Sequence, residues 1–166
     1  MKSWREIGNK GIETQRKWDE NLNKKDSKIK NFILTVDGKS GSGKSTAAKL
    51  LSKKYKIPVA ETSAGKGALA WNHPGYVGAI GVTGSNAANN LARQADTVLA
   101  IGTRLNDFIS GSRALFSDKK LVQLNVARFD AIKHNAYALW GDAKLGIDNL
   151  DEQLDDWKAS NDWFQE

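Results

Sequence analysis

Residues 38–46 carry the side chains with the clearest potential for chemistry. Gly38 through Ser45 reads GKSGSGKS, which satisfies the pattern G-x-x-x-x-G-K-[ST]. Glycines in such a turn lack a Cβ atom, so successive backbone N–H groups can surround an anion. The lysine of this pattern reaches the β- and γ-phosphates of a nucleotide, and the hydroxyl that follows it binds Mg²⁺. The segment therefore predicts a phosphate-binding loop.

The predicted ligand-binding residues are Gly38, Lys39, Ser40, Gly41, Ser42, Gly43, Lys44, Ser45 and Thr46. The expected ligand is ATP or GTP with Mg²⁺, and the hydroxyl of Ser45 is the expected metal contact. Lys44 and Asp37 are the candidates for a catalytic role. Asp37 stands just before the loop, where a carboxylate could orient a substrate hydroxyl.

The neighbouring segments have the order that a phosphate-binding loop requires. An apolar run at 32–36 predicts a strand, and an amphipathic run that ends near Tyr55 predicts a helix. A helix that begins near Gly43 directs its free N–H groups and the positive end of its dipole at the loop. Residues 37–49 resemble the P-loop nucleotide kinases, especially the uridine and cytidylate kinases. This resemblance implies a kinase or NTPase, which we keep as an alternative function.

Phosphoryl transfer also needs an acidic residue at a second strand end and arginines that close over the phosphate. Three acidic residues follow predicted strands and are imperfect substitutes: Glu61, Asp107 and Asp142. Three arginines could approach a phosphate but do not lie in a recognisable lid: Arg104, Arg113 and Arg128. We therefore expect phosphate or nucleotide binding with little or no catalysis.

Composition limits the other functional classes. The 166 residues include no cysteine, which excludes disulfides and thiolate metal sites. Residues 1–57 hold 15 Lys and Arg against 6 Asp and Glu, within a net charge of +6. This basic segment suits a polyphosphate, but no aromatic stacking pattern accompanies it, which argues against a nucleic-acid partner. No apolar run is long enough to span a membrane, and we expect a cytoplasmic protein.

Strands alternate with helices along the chain. Strands are predicted at 32–36, 58–62, 97–101, 121–126 and 138–140, and helices at 3–25, 44–55, 86–95 and 143–163. The segment 63–84 is predicted to be irregular. The alternation predicts an α/β fold, a Rossmann-like three-layer α/β/α sandwich with a mostly parallel sheet of five to six strands. We divide one domain, 1–166, into an N-terminal helix and link (1–30), the loop element (31–55), a central part (56–150) and a C-terminal helix (151–166).

A second resemblance covers residues 57–149. The segments IPVAETSAGKGAL, HPGYVGAIGVTGSNAANNLARQADTVLAIGTRLNDFISGSRALF and LVQLNVARFDAIKHNAYALWGDAK resemble the central domain of thiamine-diphosphate-dependent enzymes, especially the trihydroxycyclohexanedione hydrolases. The resemblance implies a six-stranded parallel sheet and makes Arg104 and Asp107 candidate ligand contacts, unless they only brace their loop. The motifs of the thiamine-binding domains are missing, so thiamine diphosphate is not expected. A non-catalytic central domain is therefore a further alternative.

The two resemblances meet near residue 56, which suggests an engineered or recombined chimera; natural fusion or drift is the alternative. A homodimer is expected from the oligomers in which such central domains occur. His73 and His134 are the only histidines, and their spacing predicts no metal site. His134 is predicted to be a surface helix residue.

Overall fold

A computed structural model describes residues 31–37 and 43–165 of the chain. The strands are β1 (Phe32–Val36), β2 (Val59–Glu61), β3 (Tyr76–Ala79), β4 (Thr97–Ile101), β5 (Lys120–Asn125) and β6 (Tyr137–Trp140). The helices are α1 (Lys44–Tyr55), α2 (Asn86–Gln94), α3 (Asp107–Ser110), α4 (Arg128–Ala131), α5 (Ala143–Leu154) and α6 (Asn161–Gln165), with a 3₁₀ turn at Lys133–Asn135.

The six described strands form one parallel sheet in the order β3-β2-β1-β4-β5-β6. Strand β1 lies at the centre, where Leu34 pairs with Val59 on one side and Leu99 on the other. The strand order runs outward in two directions from β1, so the sheet has a switch point between β1 and β4. The predicted Rossmann-like α/β fold with parallel strands is confirmed.

Helices cover both faces of the sheet. Leu51 of α1 and Ile147 of α5 pack with Leu34 and Leu99 on one face. Leu91 of α2 packs with residues such as Ile33 on the opposite face. Strands β1 and β4 are buried along their whole length, as their continuous apolar sequences predict.

Strand β3 lies inside the segment that was predicted to be irregular. Its four residues are all half-buried, so their burial does not alternate as it does in a strand with one buried face. Gly78 has φ of +98°, and the pairing with β2 shifts register between Val59 and Ala60. This strand forms because β2 offers an edge with which to pair, a factor that local sequence does not contain.

The C-terminal part is two helices instead of the single predicted helix. Asp155, with φ of +46°, follows the end of α5, and α6 begins at Asn161. Leu145 is 65% exposed, whereas Trp163 is buried and its indole Nε1 donates to the carbonyl of Phe32 at 2.9 Å. The helix predicted at 3–25 lies outside the described residues.

Candidate functional site

The switch point of the sheet places the ends of β1 and β4 side by side. The N–H of Asp37, directly after β1, donates to the carbonyl of Ile101 at 3.0 Å. The N–H of Gly102, directly after β4, donates to the carbonyl of Leu124 at 2.9 Å. In open parallel sheets, ligands and partners are commonly bound at this carboxyl edge.

Two glycines bring neighbouring loops close to β1. A Cβ atom on Gly65 would lie 2.1 Å from the carbonyl oxygen of Val36. A Cβ atom on Gly102 would lie 2.8 Å from the carbonyl oxygen of Asp37, and Gly102 has φ of +68°. Both positions therefore need glycine, and the loops after β2 and β4 pack tightly against the end of β1.

The structure describes the predicted loop only in part. Residues 38–42 lie outside the described residues, and with them the predicted contacts Gly38, Lys39, Ser40, Gly41 and Ser42. Gly43 has φ of +79° and precedes α1, which begins at Lys44 with no side-chain N-cap bond. Lys44 and Ser45 are half-buried and Thr46 is exposed. The predicted strand before this segment and the predicted helix after it are confirmed.

The carboxylate of Glu61 is committed to the loop that follows β2. Glu61 is 2% exposed, and its two oxygens accept hydrogen bonds from the N–H of Gly67 at 3.1 Å and the N–H of Leu69 at 2.9 Å. The hydroxyl of Tyr76 donates to the same carboxylate at 3.2 Å. Burial raises the pKa of Tyr76, and the charge of Glu61 raises it further. Glu61 is thus a structural carboxylate, which sequence reasoning missed.

The other acidic candidates do not assemble with Glu61. The carboxylate of Asp142 caps α5, where it accepts from the N–H groups of Lys144 and Leu145 at 2.9 and 3.3 Å. Asp107 is exposed in the first turn of α3. Among residues 31–37 and 43–165, no group of three His, Asp or Glu side chains could hold a metal ion.

The three arginines that were predicted to approach a phosphate lie on different segments of the protein. Arg104 and Arg113 are exposed on the segment after β4, and Arg113 has φ of +73°. The guanidinium of Arg128 lies 5.8 Å from the ring centroid of Trp140, at the β6 side of the sheet. This cation–π contact gives Arg128 a local packing role.

Both histidines make contacts with the backbone. The Nδ1 atom of His73 accepts from the N–H of Gly75 at 3.1 Å. Burial lowers the pKa of His73, and the charge of Lys49 lowers it further. The ring of His134 donates through Nε2 to the carbonyl of Leu105 at 2.9 Å. His134 is half-buried in the 3₁₀ turn, so its prediction as a surface helix residue is wrong.

Comparison with known proteins identifies similar sequences. A family model described as "Thiamine pyrophosphate enzyme, central domain" matches residues 27–150. The chain is 40% identical over 134 residues to the 3D-(3,5/4)-trihydroxycyclohexane-1,2-dione hydrolase of Geobacillus thermodenitrificans, a match that covers 81% of this chain and 21% of the relative. The proteins of the same name from Clostridium tetani and Bacillus subtilis are 37% and 38% identical, over 84% and 80% of this chain and 22% and 21% of their own lengths.

These matches correct the prediction of a nucleotide-binding protein. The family match over residues 27–150 includes 31–55, the segment from which the phosphate-binding loop was predicted. The loop therefore belongs to the matched central domain, and the P-loop, Walker A and ATP-binding interpretation is wrong, as is the expected ATP or GTP cofactor. The alternative of a non-catalytic central domain fits the match. The same match gives no support to a join near residue 56.

The chain spans about a fifth of the length of the curated relatives it matches. In the part of the chain that the structure describes, no helix has both the length and the apolar character needed to cross a membrane.

Proposed function

Because the chain belongs to the family of thiamine pyrophosphate enzyme central domains, we propose that it is a structural, non-catalytic domain of a thiamine-diphosphate-dependent enzyme. The observation that carries this proposal is the family match over residues 27–150, which takes in the whole sheet. The commitment of Glu61 to its own loop supports it, since both oxygens of this buried carboxylate already accept hydrogen bonds from within the domain.

The described residues do not fit the cofactor itself. A diphosphate bound through Mg²⁺ needs oxygen ligands that are free to coordinate the metal. The carboxylates of Glu61 and Asp142 already accept backbone N–H groups, and the described segments hold no metal-binding cluster. We therefore assign the cofactor to other domains of the full-length enzyme and derive no step through it.

The carboxyl edge is the surface proposed to contact those domains. Two large aromatic side chains are exposed: Trp71, between β2 and β3, is 85% exposed, and Phe108, in α3, is 68% exposed. Arg104, in the loop after β4, and Asp107, at the start of α3, are also exposed. Exposed aromatic rings beside charged side chains are typical of protein–protein contacts. We propose Arg104, Asp107 and residues 43–46 as contacts with a neighbouring domain.

The proposed activity of the full-length enzyme is the hydrolysis of a trihydroxycyclohexane-1,2-dione, after the names of the relatives. Homodimer formation and a cytoplasmic location stay predictions. Sedimentation velocity of the chain checks the first, and a monomer at all concentrations would contradict it.

A segment exchange tests the structural role. Residues 27–150 replace the matching segment of the Bacillus subtilis relative, and the hybrid is assayed for hydrolysis of the dione. A structural domain predicts a hybrid that folds and keeps kcat within about tenfold of the parent, because the catalytic groups lie elsewhere. The 166-residue chain alone should neither bind thiamine diphosphate in calorimetry nor hydrolyse the dione.

Two outcomes contradict the proposal. One is hydrolysis by the chain alone. The other is a hybrid that folds and binds thiamine diphosphate like the parent but loses turnover, which would mean that the native segment supplies a catalytic group. Circular dichroism and cofactor binding of the hybrid separate this second outcome from a failure to fold.

A further inference from the structure

Three consecutive backbone carbonyl groups after β4 each accept a hydrogen bond from a different side chain. The amide Nδ2 of Asn125 donates to the carbonyl of Thr103 at 3.0 Å. The ammonium group of Lys133 donates to the carbonyl of Arg104 at 3.4 Å, and Nε2 of His134 donates to the carbonyl of Leu105 at 2.9 Å. Most protein hydrogen bonds to backbone carbonyls come from other backbone groups. Three consecutive carbonyls that each accept from a side chain are therefore an unusual arrangement.

The side chains of Asn125 and Lys133 are each held by a second contact, and the turn that carries His134 is bonded to the sheet. The N–H of Ala127 donates to Oδ1 of Asn125 at 2.9 Å, which turns Nδ2 of Asn125 toward Thr103. The ammonium group of Lys133 also contacts Oδ1 of Asp130 at 2.6 Å. The side chain of Gln123, on β5, donates to the carbonyl of Lys133 at 3.2 Å and so anchors the 3₁₀ turn to the sheet.

The contact between His134 and Leu105 requires a hydrogen on Nε2 of the ring. A carbonyl oxygen can only accept, so Nε2 of His134 carries the hydrogen. His134 and Leu105, the two residues joined by this bond, have φ of +59° and +42°. Side chains other than glycine rarely adopt this left-handed region, because Cβ then crowds the backbone. The hydrogen bond therefore joins two residues, Leu105 and His134, that both have unfavourable backbone conformations.

We infer that Asn125, Lys133 and His134 are positioning residues that hold the loop at 103–107 in one conformation. We call these three side chains the carbonyl latch. The side chain of Leu105 is 1% exposed and packs into the core. Arg104 and Asp107 are exposed to solvent. The latch fixes the backbone that carries these two side chains before any contact forms. The use of that edge as a contact surface rests on the proposed function, but the latch itself does not.

Hydrogen exchange in the 166-residue chain tests the latch. Asn125→Asp keeps the oxygen that accepts from Ala127 but replaces the donor to Thr103 with an acceptor. His134→Leu removes the donor to Leu105, and His134→Gln is the matched control, because its amide can still donate. In Asn125→Asp and His134→Leu, the amide protons of Leu105, Ile109 and Ser110 should exchange about tenfold faster, as expected for a lost hydrogen bond.

The amides of β4 separate a latch from a general loss of stability. They should exchange at the wild-type rate in all three variants, and His134→Gln should keep the slow exchange of the loop amides. Equal acceleration in β4 and the loop, or no acceleration in the loop, would overturn the inference. These outcomes concern the chain alone, so they differ from failure of the hybrid enzyme, which would overturn the proposed function.

Discussion

The carboxylate of Glu61 stabilises the loop after β2 from inside the protein. A buried carboxylate is unfavourable unless hydrogen bonds replace the water that it loses, and here two N–H groups and one hydroxyl do so. The same residue follows an apolar strand in the sequence, where a metal-binding carboxylate would also stand. Position along the chain thus could not separate the two roles, and only the partners of the side chain do.

Glu61→Ala should lower the free energy of unfolding by about 3 kcal/mol, since it leaves the N–H groups of Gly67 and Leu69 without an acceptor. Urea titration followed by circular dichroism measures the loss. Asp118→Asn is the control, because Asp118 is exposed and pairs only with the adjacent Lys119. A loss for Glu61→Ala that is no larger than the loss for this control would contradict the structural role.

The imidazole of His73 should make stability depend on pH. Its pKa is lowered in the folded state by burial and by Lys49, so the unfolded chain binds a proton more readily. The contribution is present above the unfolded pKa of about 6.5 and is lost as the pH falls through the folded pKa. Wild type should therefore lose stability between about pH 7 and about pH 5, and His73→Asn should lose less over this range.

Urea titrations at a series of pH values measure this difference. His73→Asn keeps an oxygen that can accept from the N–H of Gly75 but does not titrate. A pH dependence that is unchanged in His73→Asn would show that other groups cause it.

Among the elements, the starts of the helices follow their sequences closely. Ser85, directly before α2, accepts from the N–H of Ala88 at 3.1 Å, and Asn106 caps α3 in the same way. Asp142 caps α5. The conformations of the loops depend more on contacts between distant segments. The close approach of Gly65 to Val36, for example, joins segments from two different β-α units.

Gly65→Ala should lower the free energy of unfolding by about 2 kcal/mol, because the new Cβ would lie 2.1 Å from the carbonyl oxygen of Val36 and one loop must move. Gly141→Ala is the matched control, since its Cβ would meet no atom within 4 Å and its φ is not positive. Thermal unfolding of both variants checks the prediction. Equal stability of the two variants would show that the loop after β2 moves away freely.

At the scale of the whole molecule, one sheet separates two hydrophobic clusters. Leu51 belongs to the cluster beneath α1 and α5, and Leu91 belongs to the cluster beneath α2. Residues of the same strand alternate between the two faces, as Ile33 and Leu34 do in β1. Loss of either cluster therefore removes packing from the same central strands.

Leu51→Ala and Leu91→Ala should each lower the free energy of unfolding by about 3 kcal/mol, the usual cost of a cavity in a packed core. If 1–166 is one domain, as predicted, each variant should unfold in one transition with coincident circular dichroism and tryptophan fluorescence. Denaturant titrations measure both signals. Separate transitions in either variant would contradict the single domain.

The sequence by itself determined the elements whose signals are local. Continuous apolar runs identify β1 and β4, a side-chain cap identifies α2, and alternation of strands with helices identifies the α/β class. The motifs at 57–149 also led to the family that the comparisons confirm. The glycine-rich loop misled because glycine provides the same backbone freedom whether a turn holds a nucleotide or only joins a strand to a helix.

Only the tertiary structure decided which polar side chains are committed to structure. Strand β3 forms by pairing with the edge of β2. The carboxylate of Glu61 accepts from the N–H groups of Gly67 and Leu69, which come close to it only in the folded protein. Asn125, Lys133 and His134 are more than 20 residues from the carbonyls that they bind, and no local pattern encodes such contacts. A hydrogen bond depends on distances of about 3 Å, and packing of the whole sheet sets these distances.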